Sequence, residues 1–289
     1  MKRRMLPALL AAALLTGCGA PAETAPSEPQ ARIASLPETA LVEPISAPAV
    51  VTQGRRASEK AYVLPEVAVE RMADWSGDVA LLAELPEREI AFYGVQDRRE
   101  NTMTALLRWG DTLAEFDWSC ATPRGVLPQL RCFDADGDGV DELVAECYMG
   151  SGTGVSISQL HIVEKSADGT LTDYCLPDTL FTDLTAALRV ENVAERTYAV
   201  LGTELVDITA RLQEGMDPAG IEGLTAGNIV AFDAAPDSKL GEYIRFRGSA
   251  CLEGVDYPPT VWYVVDVDAV VDFTDGIFTL RDLHLNSIN

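Results

Sequence analysis

The chain has 289 residues, 47% of them hydrophobic and 23% charged, and 45 acidic against 22 basic residues give a net charge of −23. Nucleic acid and anionic lipid headgroups are therefore poor partners for the surface as a whole. The acidity suits a secreted protein that meets calcium, and it serves plain solubility equally well.

The opening stretch, MKRRMLPALLAAALLTGCGA, places Lys2, Arg3 and Arg4 ahead of an apolar run from Met5 to Leu15. That run is shorter than the roughly 20 residues needed to cross a bilayer, so residues 1–17 read as a secretory signal peptide. Leu15, Thr16, Gly17 and Cys18 resemble the lipobox of bacterial lipoproteins. The resemblance implies cleavage before Cys18, lipid on its sulfur, and a chain tethered to the extracytoplasmic face of a bacterial membrane. Residues 18–58 then read as the lipidated cysteine and a disordered spacer dense in Pro, Ala and Glu, with residues 59–289 as an extracytoplasmic globular domain.

Within that domain, Pro65 is placed to start a helix over Glu66 to Asp74. REIAFYGVQD, TALLRWGDTLAEFDW and the segment from Glu142 to Met149 alternate like strands, with WGDT at 109–112 as a hairpin turn. ISQLHIVEK and LTDY flank a second turn at Asp168 and Gly169. DTLFTDLTAAL predicts a brief helix capped by Thr182 or Asp183, and VENVAERTYAVLGTELVDITARL a meander with turns at AER and GTE. From IVAFDAA to GIFTLRDLHL, short β-prone runs recur about every ten residues. The fold class is mainly β (α+β), with antiparallel sheets and hairpins and a few short helices.

Of the six cysteines, five follow Cys18: Cys120, Cys132, Cys147, Cys175 and Cys251. The odd number leaves at least one thiol, and the absence of CxxC spacing argues against a zinc ribbon or a thioredoxin-like centre. Export permits disulfides, and Cys120 with Cys132 would close a short loop; spacing alone does not fix the pairing.

The most informative stretch is FDADGDGVDELV at 133–144, where five carboxylates and two glycines lie between apolar residues. Ca²⁺ takes six to eight oxygens, which a tight turn with carboxylates on alternate positions can supply. Asp134, Asp136 and Asp138 occupy positions one, three and five. Gly139 permits the reversal at six, Val140 offers a carbonyl at seven, and Glu142 an acid at nine. A helix-loop-helix calcium hand would need Glu at position twelve, where this chain has Ala145 in a strand-like run. The stretch resembles instead the calcium loop of FG-GAP and VCBS-type repeats. That resemblance implies a Ca²⁺ held by Asp134, Asp136, Asp138, the Val140 carbonyl and Glu142 between two strands. No second copy of the loop follows, so a single calcium-loop unit is expected rather than a full propeller.

Other motifs carry less. GSGTG at 150–154 lacks the Lys-Ser/Thr of a phosphate loop and reads as a turn or bulge. The two histidines, His161 and His284, fall in strand-like runs. His161 is expected to face solvent, with no GxSxG elbow to recruit it to a triad. Most aromatic residues read as core, with Tyr257 in YPPT the expected exposed exception. No catalytic residue emerges. The expectation is a lipid-anchored, calcium-stabilised β domain that binds an envelope or host surface component or serves a structural role, with an envelope hydrolase of acidic chemistry as the alternative.

Overall fold

The computed structural model describes residues 42–97, 102–118, 126–212, 216–237, 241–254 and 261–288. All of them belong to a compact unit spanning Pro37–Asn289. Its hairpins form where the sequence alternates and then offers a residue that accepts positive φ. Gly110 (φ +60°) turns the chain between β6 (Thr102–Trp109) and β7 (Thr112–Phe116), and Gly169 (φ +83°) between β10 (Val155–Lys165) and β11 (Leu171–Cys175). The two tips touch: Thr112 Oγ1 donates to the Gly169 carbonyl at 3.2 Å, and Lys165 Nζ to the Trp109 carbonyl at 2.9 Å.

β3 (Arg55–Arg56), β4 (Val79–Leu85), β5 (Ile90–Asp97), β6 and β7 make a five-stranded antiparallel sheet in the order β3-β7-β6-β5-β4. A ten-stranded sheet is built from β1 (Ile45–Pro48), β2 (Val50–Gln53), β8 (Gln129–Phe133), β9 (Glu142–Gly152), β10, β11 and the four long strands β15 (Gly223–Asp237), β16 (Gly241–Glu253), β17 (Tyr263–Thr274) and β18 (Ile277–Ser287). Its main path runs β1-β18-β17-β16-β15-β10-β11-β2, and β9, carrying β8, also pairs with β10. Every pairing between its named strands is antiparallel except a short parallel one between Ser156–Ile157 and Ile229–Val230. β12 (Leu188–Val193), β13 (Arg196–Leu201) and β14 (Glu204–Asp207) form the expected three-stranded meander. Among the described residues the sheets close into neither a barrel nor a propeller.

β9 and β10 are covered on both faces. Val144, Leu160 and Ile162 pack into the larger core with Phe232, Phe246, Phe273 and Phe278, whereas Leu143, Ala145, Cys147 and Val163 pack into the second core with Phe92, Leu107, Phe116 and Trp118. This explains the nearly unbroken apolar run LVA after the aspartates: a strand walled by two cores has no face to give to water. Burying a leucine such as Leu143 contributes about 1.5–3 kcal/mol.

Three expectations are corrected. The helix over Glu66 to Asp74 reduces to one 3₁₀ turn at Met72–Asp74. Ahead of it, Ala68 makes a parallel bridge to Leu81 and the Val69 amide donates to the Leu81 carbonyl at 2.9 Å, so the chain is held extended. The β-branched Val67 and Val69 are at ease in that conformation. The helix α1 (Thr179–Ala187) does form, but Asp178, not Thr182 or Asp183, is its N-cap. Finally, the spacer does not extend to residue 58. β1 pairs with β18, β2 with β11 and β3 with β7, and Ala47 is buried in the larger core. The Pro-rich composition hid short runs such as Val50-Val51-Thr52, and Pro48 sits where a strand ends at a sheet edge, where a missing N–H is tolerated.

Candidate metal centre

The aspartate loop joins β8 to β9 as a wide hairpin whose last ladder pair is Phe133 with Glu142. The side chains of Asp134, Asp136 and Asp138 converge, with one carboxylate oxygen from each lying within 4.8 Å of the others. The loop's own amides fix them. Asp134 accepts from Gly137 N at 2.7 Å and from Gly139 N at 3.0 Å, Asp136 from Asp138 N at 3.0 Å, and Asp138 from Val140 N at 2.7 Å. Gly137 and Gly139 sit at φ +83° and +90°, which only glycine adopts freely. Arg88, at the β4–β5 turn, pairs with Asp141 at 2.6 Å and fastens the outside of the loop to the smaller sheet.

Glu142 stands apart from the convergent set. It is 2% exposed, and its Oε2 accepts the Ala135 amide at 2.7 Å. Burial pushes its carboxyl up to about 7; the charges of Asp136, Asp138 and Asp134 push the same way, and the Ala135 hydrogen bond opposes them. Val140 is tied to the loop by its amide, while its side chain is 57% exposed. Three converging carboxylates with a buried fourth beside them form an anionic, all-oxygen donor set, which suits a hard divalent cation.

The remaining candidates scatter. GSGTG is the end of β9 and the two-residue turn, Thr153 and Gly154, into β10, with Gly154 at φ +71°. It lies at the far end of β9 from the aspartates, roughly 30 Å away at about 3.3 Å per residue, so it is not a neighbouring surface of the metal loop. Cys132, Cys175 and Cys251 are thiols, which burial pushes to about 11 and about 12 in the first two and upward in the third. Cys18, Cys120 and Tyr257 lie outside the described residues. His284 is on the surface, its Nδ1 2.6 Å from Glu204 Oε1.

His161 does not face solvent. It is 2% exposed, on the face of β10 turned toward the second core, with Trp118 stacked on it at 4.0 Å between ring centroids. Its Nδ1 lies 3.1 Å from both oxygens of Asp173, which is equally buried and also accepts from Trp118 Nε1 at 2.7 Å and Thr52 Oγ1 at 3.3 Å. Among the described residues, Nε2 is buried with no hydrogen-bond partner. The cluster lines a cavity of about 200 Å³ together with Gln159, Cys175, Arg55, Glu115 and Asp117. Sequence reading missed it because its parts come from five strands, β2, β3, β7, β10 and β11, and the segment after β7. The one available signal was polar residues at inward positions: His161 between Leu160 and Ile162, and Asp173 two residues after Leu171.

No protein-family model, curated protein or solved structure matches this chain.

Proposed function

We propose that the protein is a membrane-anchored bacterial lipoprotein whose β-rich body is stabilised by one Ca²⁺ in the aspartate loop and serves a binding role at the cell envelope. The observation that carries the metal assignment is the convergence of Asp134, Asp136 and Asp138 on a loop whose amides already hold their carboxylates in place. Calcium is favoured over magnesium because a carboxylate-rich loop with further carbonyl donors suits a large, irregular oxygen shell, whereas Mg²⁺ demands near-octahedral geometry and sheds its water reluctantly. Asp134, Asp136 and Asp138 would hold the ion, with the Val140 carbonyl and Glu142 as the further donors that the FG-GAP resemblance implies. Bound there, the ion would neutralise the loop and fix the β8–β9 hairpin between the two cores. The lipobox supplies the address.

The alternative, an envelope hydrolase, gains one observation: His161 and Asp173 are hydrogen-bonded, and Cys175 pairs directly across from His161. Against it, burial pushes the Cys175 thiol to about 12, which keeps it protonated rather than nucleophilic at neutral pH.

The deciding measurement is thermal unfolding of the purified protein across Ca²⁺ and Mg²⁺ concentrations into the millimolar range, where extracellular calcium sites often saturate. The expected result is a calcium-dependent rise in Tm that Mg²⁺ reproduces weakly. A Tm indifferent to calcium and to chelator would reject the metal assignment.

A further inference from the structure

The cavity beside His161 is built from side chains that the calcium and lipid assignments do not use. Its floor is the face of β10, β11 and β2 that carries Gln159, His161, Asp173, Cys175 and Thr52, and its wall comes from the end of β7 and the residues after it, through Trp118. Asp173 fixes the imidazole from below. Three donors converge on this one carboxylate, and Trp118 covers one face of the ring, so neither the orientation of His161 nor its tautomer is free. With Nδ1–H directed at Asp173, Nε2 of the neutral ring is a hydrogen-bond acceptor. A buried acceptor without a donor is costly, and buried polar groups almost always have a partner.

The charges on the walls say what kind of donor suits. Asp173, Glu115 and Asp117 place three carboxylates around the cavity against the single guanidinium of Arg55. Arg55 pairs with Asp117 at 3.0 Å and Glu115 at 3.5 Å, and cannot balance both of them as well as Asp173. The cavity is therefore anionic, and the whole protein carries −23. An anion would be repelled, and a neutral donor would leave the excess charge unmet.

We propose that this cavity binds the ammonium group of a small organic amine, which donates one hydrogen bond to His161 Nε2 and is held electrostatically by the carboxylates around it. About 200 Å³ accommodates a ligand the size of a short alkylamine, an amino alcohol or a single amino sugar. The assignment rests on the surroundings of His161 alone and stands independently of the calcium and the lipid.

With only two histidines in the chain, the test is direct. The full-length protein, labelled with ¹⁵N at histidine and held in detergent micelles, is titrated with ethylammonium, ethanolammonium and glucosamine, and in parallel with ethanol, ethylene glycol and glucose. His284→Gln identifies the His161 signals. The free protein is expected to show Nε2 unprotonated, and the amines are expected to move that resonance saturably while the neutral counterparts bind at least about tenfold more weakly. Calorimetry on His161→Gln should show the amine binding lost. Glu115→Gln, a change on the partly exposed rim, should weaken it about fivefold. The proposal is overturned by an Nε2 that is protonated in the free protein, by no saturable response to any amine, by equal response to the neutral compounds, or by unchanged amine affinity in His161→Gln or Glu115→Gln.

Discussion

The buried Glu142 carboxylate accepts the amide hydrogen of Ala135 at 2.7 Å, which closes the aspartate loop on itself with an acid that has no cationic partner among the described residues. A carboxyl whose folded-state value is raised from 4.5 to about 7 favours the protonated form in the folded protein. Its contribution to stability is therefore fully present below pH 4.5 and is lost as pH rises through 7, an effect of about 3 kcal/mol at most. Metal-free protein should lose stability between pH 4.5 and 7.5, read as a falling urea midpoint. Glu142→Gln keeps an oxygen for the Ala135 amide and should flatten that slope. Bound cation reverses the balance, so the gain from calcium should grow over the same pH range.

The three aspartates are held by loop amides as Glu142 is, but unlike it they are not buried. Asp136→Asn or Asp138→Asn keeps an oxygen for those amides while removing charge from the ion site. At a hundredfold excess over the dissociation constant, calcium should stabilise the unaltered protein by about 2.7 kcal/mol, and either substitution should remove most of that gain while leaving metal-free stability within about 0.5 kcal/mol. Melting curves with and without calcium measure both quantities. Equal calcium responses in the variants would move the ion elsewhere.

The loop was legible in the sequence because its chemistry is local: alternate aspartates, a glycine at the reversal and an acid nine positions along all act within one turn. The hairpins at Gly110 and Gly169 were legible for the same reason, since positive φ is a property of single residues. What sequence reading missed is non-local. Val67 and Val69 are extended because Leu81 takes the backbone bonds of their segment. His161 is buried because Asp173 and Thr52 arrive from other strands and Trp118 from the segment after β7, and nothing within ten residues of it announces them. Residues 45–56 looked like spacer because they continue a Pro-, Ala- and Glu-rich stretch and hold only short apolar runs, yet each short strand there needs only a free sheet edge.

Those edges make the domain boundary testable. A chain beginning at residue 42 retains β1, β2 and β3, whereas one beginning at 59 exposes the edges of β18, β11 and β7 and removes Ala47 from the larger core. It also removes the Thr52 donor from Asp173. The shorter chain should unfold at a clearly lower urea concentration and aggregate more readily through its uncovered strands. Coincident unfolding curves would restore the boundary at 58.

Lipid attachment is expected at Cys18, the cysteine that the lipobox resemblance marks. Cys18→Ser should abolish incorporation of a palmitate analogue in cells and release the chain from the membrane fraction. Label retained by the variant would remove the lipoprotein assignment while leaving the aspartate loop untouched.

Gly139 separates conformational strain from crowding. A Cβ placed there meets nothing within 4 Å, yet the residue sits at φ +90°, so Gly139→Ala fits in space and is opposed by backbone alone. The cost should be about 1–2 kcal/mol in metal-free protein. Gly139→Asn should cost less, because asparagine tolerates left-handed conformations better than alanine. Since the Gly139 amide also donates to Asp134 Oδ2, any shift of the backbone at this position turns a carboxylate away from the convergent set. The calcium-dependent rise in Tm should therefore fall in the order glycine, asparagine, alanine. An alanine variant with full metal-free stability and a full calcium response would show that the loop does not require the conformation seen at this residue.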